Sequence, residues 1–157
     1  MHKKIIIFLL IFLSFDSAIY CRDLQFGENG KFVIAHITDL HTKNSLNAKV
    51  KDFIIKTLVY IRPDLVILGG DLCTGAQDIQ ELEIHELCDI FVSAGVYFTL
   101  TFGNHDSGSG MENEKLLALY KKYGKEYCLL SDPFPEISGC GNQILPILSF
   151  DGTDVMF

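Results

Sequence analysis

Three short apolar runs, each parted from the next by a stretch of helical periodicity, leave this chain few ways to fold. Residues 32–37 (FVIAHI) are a β-rich run that ends at a polar loop. Residues 50–61 follow, with Val50, Phe53, Ile54, Leu58 and Ile61 spaced as the stripe of an amphipathic helix. Pro63 and Asp64 punctuate it, and residues 65–68 (LVIL) are wholly apolar before Gly69 and Gly70. A run apolar at every position suits a strand covered on both faces of a sheet. Residues 79–94 predict a second helix with Gly95 at its C-cap, and residues 96–101 a third strand. Residues 112–123 predict a third helix, stopped by Gly124. Residues 127–130 and 143–150 read as further strands around a loop rich in proline and glycine. The order β-α-β-α-β-α-β predicts an α/β layered fold, with helices packed on a largely parallel sheet.

A length of 157 residues suits one domain or a piece of a larger one. An apolar content of 48% with 21% charged residues argues against disorder. A net charge of -7 without any Lys/Arg-rich stretch argues against a nucleic-acid partner held by phosphate neutralisation.

Part of the hydrophobicity is concentrated at the start. Lys3 and Lys4 precede an unbroken apolar run over residues 5–13, and Ser14, Ser17 and Ala18 follow. The run is shorter than the roughly 20 residues that span a bilayer. Residues 1–21 therefore read as a secretory signal peptide, cleaved after Ala18 or after Cys21. The protein is expected in the secretory-pathway lumen or outside the cell. The alternatives are an uncleaved anchor, which would make a membrane a partner, and a buried element at the start of the fold. If Cys21 departs, Cys73, Cys88, Cys128 and Cys140 remain, an even number in an oxidising compartment. They allow three disulfide pairings, or stay as free buried thiols. No pair has C-x-x-C spacing, which argues against a zinc knuckle.

Ligands of open α/β sheets bind at the carboxyl ends of the strands. The first strand here ends in Asp39-Leu40-His41, the second in Gly70-Asp71 and the third in Gly103-Asn104-His105-Asp106. Each cluster alone is an ordinary turn or helix cap. Their conjunction is a metal-ligand set of hard oxygens and borderline nitrogens, suited to Fe, Mn or Zn. On an extended segment the D-x-H spacing puts Asp39 and His41 on one side, where they can grip one ion. Asp71 could bridge to a second ion, to which Asn104 would add a neutral oxygen. Two ions about 3.5–4 Å apart clamp the attacking and leaving oxygens of a phosphoryl displacement, and make hydroxide near neutral pH.

With these motifs in this order, the chain resembles the calcineurin-like metallophosphoesterase superfamily, whose D-x-H, G-D and G-N-H-D motifs match the three clusters. It is most similar to the purple-acid-phosphatase-like group, whose G-x-G-N strand entry matches residues 139–143 (GCGNQ). The resemblance implies a layered αββα sandwich, of which residues 31–157 carry a partial domain, its first βαβαβ half. It implies that Asp39 and His41 bind the first metal, that Asp71 bridges and that Asn104 binds the second. It also implies that His105 meets the phosphate and the leaving oxygen, while Asp106 holds the His105 ring. The family's further histidines, including a G-H-x-H pair, have no counterpart, because no histidine follows His105. The expected function is a phosphatase hydrolysing phosphate monoesters, on a phosphorylated small molecule or phosphoprotein, through water activated by two metal ions. The alternatives are an inactive truncated fragment and a secreted binding module stapled by disulfides.

Other polar residues are expected to be structural. His36 lies inside the first strand and reads as a core or supporting histidine. His85 sits among Glu81, Glu83 and Glu86 on what reads as a solvated acidic helix. Lys115, Lys121, Lys122 and Lys125 read as solvated charge, and Ser107 and Ser109 as a loop beside the site.

Overall fold

The computed structural model describes residues 24–153 and 155–156, so the leader and Cys21 lie outside the described residues. After a two-residue strand β1 (Leu24–Gln25), the chain runs through β2 (Ile34–Ile37), α1 (Ala48–Ile61), β3 (Leu65–Leu68), α2 (Gln77–Ala94), β4 (Tyr97–Leu100) and α3 (Asn113–Gly124). The three longer strands pair in parallel in the order β2-β3-β4, with Ile34 opposite Leu65 and Leu65 opposite Tyr97. Both steps across this sheet go the same way. Right-handed crossovers then place α1 and α2 on one face.

That face is the core. Ala35, Val66 and Phe98 form one row of it and Leu68 and Leu100 another, all buried. Against them pack Ile54 and Leu58 of α1, Ile84, Leu87, Cys88 and Phe91 of α2, and Leu116 and Tyr120 of α3. The Phe91 and Phe98 rings lie 4.9 Å apart. The helix ends follow local chemistry: the Asn47 side chain caps α1 by accepting the Lys49 N–H at 2.9 Å, and Gly95 ends α2 at φ 65°.

The opposite face is largely open. Ile34 is 47% exposed, His36 is exposed, and Ile67 and Tyr97 are half-buried. Of the two expectations for His36, core or supporting, the core one is thus corrected. Strand alternation turns His36 away from the helices, over Gly69, where a Cβ would come within 2.5 Å of its Nε2. Leu65 and Thr99 are the buried exceptions, the Thr99 hydroxyl accepting from the Gln143 side chain.

Two expected strands are also corrected. Residues 125–127 form a 3-10 turn in which Lys125 takes φ 50°, and residues 127–130 pair with β4 only through one bridge, Cys128 to Phe98. Residues 143–150 reduce to β5 (Ile147–Leu148), because Pro146 has no N–H to give a ladder. β5 pairs in parallel with β1 and antiparallel with β6 (Val155–Met156), a second small sheet that periodicity did not reveal.

Cys73, Cys88, Cys128 and Cys140 are all free thiols, and the first three are buried. Burial pushes the Cys73 thiol up to about 12 and Cys128 up to about 11, so these groups stay neutral in the core. Among the described residues no helix is long and apolar enough to cross a membrane.

Candidate metal centre

The loops leaving β2 and β3 run side by side past the sheet. The N–H groups of Asp39, His41 and Thr42 donate to the carbonyls of Gly70, Asp71 and Leu72, at 3.1, 3.0 and 3.0 Å. This pairing holds Asp39, His41 and Asp71 at φ 57°, 45° and 53°, in the left-handed region that side chains other than glycine rarely occupy. The expected extended D-x-H segment is therefore corrected. Left-handed turns, not strand alternation, bring the two side chains together. Each such residue costs on the order of 1 kcal/mol, and such strain collects at functional sites.

The result is a tight cluster. His41 Nε2 stands 3.7 Å from Asp39 Oδ1 and 3.9 Å from Asp71 Oδ2. One ligand atom from each of the three side chains lies within 4.8 Å of the others. Two carboxylates and an imidazole at this spacing fit a divalent metal ion, because a cation would relieve the repulsion between the carboxylates and accept all three donors. Asp71 Oδ1 accepts the His105 N–H at 2.8 Å, which ties the third strand-end loop to the cluster. The His105 ring meets the His41 ring edge-on at 5.3 Å between centroids. Asn104 is exposed on the same loop, one residue before His105.

Asp106 carries hydrogen bonds that the resemblance does not name. It is 2% exposed. Its Oδ2 accepts the N–H of Asp71 and of Gly103, both at 2.7 Å, and its Oδ1 that of Leu72 at 2.9 Å. One carboxylate thus locks two loops through three backbone amides. Those loops touch at Gly70 and Gly103: a Cβ on Gly70, itself at φ 90°, would come within 2.5 Å of the Gly103 nitrogen.

Two residues of α2 complete the underside. Gln80, fully buried, donates from Nε2 to the carbonyls of Cys73 and Asp106, both at 2.6 Å. Glu83, also fully buried, accepts the Gly75 N–H at 3.0 Å through Oε2, and its Oε1 has no hydrogen-bond partner among the described residues. Desolvation pushes its carboxyl above the usual range. The expected solvated acidic helix is thereby corrected at Glu83, while His85 is exposed and stacks on Tyr123. The signal for both was present in the spacing. Continuing the buried Ile84 and Leu87 positions back by four residues lands on Gln80 and Glu83.

Gly108, beside Ser107 in a 3-10 turn, lines a depression of about 390 Å³ with His41, Lys43, Thr74, Gly75 and His105. Of the lysines expected to be solvated, Lys122 pairs with Glu81 at 3.0 Å, and Lys115, Lys121 and Lys125 are exposed.

Residues 32–154, which hold all three strand-end clusters, match the family model of the calcineurin-like phosphoesterases. The chain belongs to that family. As a calcineurin-like phosphoesterase it is similar to the Arabidopsis thaliana protein named "Probable inactive purple acid phosphatase 14", at 23% identity over 87% of this chain and 39% of that protein. It is also similar to an uncharacterised Schizosaccharomyces pombe protein, at 28% identity over 71% of this chain and 25% of that protein. The chain thus spans well under half the length of these curated relatives. No solved structure matches it. The parallel sheet with three helices on one face is a partial metallophosphoesterase fold.

Proposed function

We propose that this domain hydrolyses phosphate monoesters with two metal ions, held by Asp39, His41 and Asp71 and by Asp71 and Asn104. The convergence of Asp39, His41 and Asp71, each in a left-handed conformation, carries this reading. Bound there, Fe, Mn or Zn ions would polarise the phosphoryl oxygens and lower the pKa of water to near neutrality. The chain's own residues do the rest. Asp71 takes the central position, and the His105 N–H on its Oδ1 fixes where that histidine starts. The exposed His105 ring is placed to contact the phosphate and give a proton to the leaving oxygen. Asp106 acts through the backbone, by keeping the Asp71 and His105 loops in contact. Asp39, His41 and His105 are all exposed, so the site is open enough for a phosphorylated small molecule or a phosphoprotein. The leader supports a place in the secretory pathway or outside the cell.

A second reading, a folded metal-binding domain without turnover, is favoured by the name of the Arabidopsis relative. The test is hydrolysis of an aryl phosphate by the full chain with Mn(II), Fe(II) or Zn(II), beside a metal titration. Metal-dependent turnover that Asp71→Asn removes is the expected result. Stoichiometric metal binding without turnover would establish the second reading, and no binding would sink both.

A further inference from the structure

We propose that the outer flank of α1 docks onto an anionic lipid surface. One side of α1 is core: Ile54 and Leu58 are buried. A helix on the outside of a globular domain usually carries polar residues elsewhere. Here Phe53 is 68% exposed, Val59 69% and Tyr60 89%, with Ile55 and Ile61 exposed beside them. The same helix and its cap Arg62 hold four cations, Lys49, Lys51, Lys56 and Arg62, against the single anion Asp52. That is a net +3 in a chain of net -7. Asp52 is matched by Lys56 at 2.6 Å, which leaves the cationic excess to the outside.

Exposed aromatic and branched residues among lysines are the pattern of a helix that lies in a membrane interface. The rings and Val59 would enter the boundary between headgroups and acyl chains. The lysine stems would run along them, with ammonium groups at the lipid phosphates. Next to this flank, Ile55, Val59, Ile90 and Ala94 border an apolar groove of about 520 Å³ between α1 and α2, able to take acyl chains. A second copy of the chain is a poorer occupant, since two such faces would meet with like charge.

Pro63 and Asp64, which follow α1, border the same cavity as Leu24 and Gln25. Leu24, the first described residue, therefore lies beside the end of α1. The candidate metal centre lies at the other end of the strands, beside the first turn of α1, where Asn47 and Val50 border the same depression as His41.

The full chain has no tryptophan, so Tyr60→Trp supplies a single reporter in the docking face. Vesicles of phosphatidylcholine, with or without phosphatidylserine, would be compared, some with brominated acyl chains. The expected result is a blue-shifted emission, quenched by bromine, on phosphatidylserine vesicles, reversed by salt. Combining it with Lys49→Glu, Lys51→Glu and Lys56→Glu should weaken this partition at least about tenfold, at unchanged Tm. Binding of the chain to vesicles while the indole at position 60 stays unshifted and unquenched would overturn the proposal, leaving the leader as the contact. An emission shift that follows protein concentration without vesicles would overturn it in favour of a second copy.

Discussion

The top and the underside of the candidate metal centre share the same loops, with α2 completing the underside, yet they obey opposite constraints. On top, Asp39, His41, Asn104 and His105 are exposed, and two of them hold strained backbone conformations. Beneath, Asp106, Gln80 and Glu83 are buried and hydrogen-bonded to backbone amides or carbonyls of those loops. The underside supplies the stability that lets the top keep a costly geometry. Residues that meet a ligand and residues that hold the fold are therefore separable here, and substitutions should divide accordingly.

The largest loss of stability should come from Asp106→Ala, which strips the acceptor from three backbone N–H groups, about 3 kcal/mol or more in chemical denaturation. Gln80→Leu fills similar space but leaves the Cys73 and Asp106 carbonyls without their donor, a loss of about 2 kcal/mol. On top the sign reverses. His41→Gly relieves a left-handed conformation and should raise stability by about 1 kcal/mol or slightly less, while calorimetric titration with Mn(II) shows binding lost. A clear destabilisation by that variant would erase the contrast between the two sides.

The smallest effect is a pH dependence. Burial raises the Glu83 carboxyl in the folded state, so the fold favours its protonated form. The stability this contributes is fully present below the unfolded carboxyl range and is lost as pH rises through the raised value. Glu83→Gln should flatten that decline. Tm measured from pH 4 to pH 8 should show the wild type losing ground to the variant as pH increases, and parallel curves would contradict this.

Much of the fold was readable in the chain. The alternation of apolar runs with helical stripes located β2, β3, β4 and all three helices, because a period of two or of 3.6 is a local property. The strand ends named Asp39, His41, Asp71, Asn104 and His105, because ligands gather where parallel strands stop. Less could be read where a long-range partner decides the outcome. Residues 127–130 are β-rich, but only Cys128 bridges to Phe98. Glu83 looked like surface among its acidic neighbours on the helix, and its partner Gly75 lies in the loop before that helix.

The sequence by itself determined the order of the elements and which side chains reach the sheet's carboxyl end, since both follow from spacing along the backbone. Tertiary structure alone decided three further things: the left-handed turns that aim Asp39, His41 and Asp71 at one point, the use of Asp106 as a lock on the loops, and which sheet face stays open. Each depends on hydrogen bonds or packing between segments about thirty residues apart, and only the folded chain brings those segments within range.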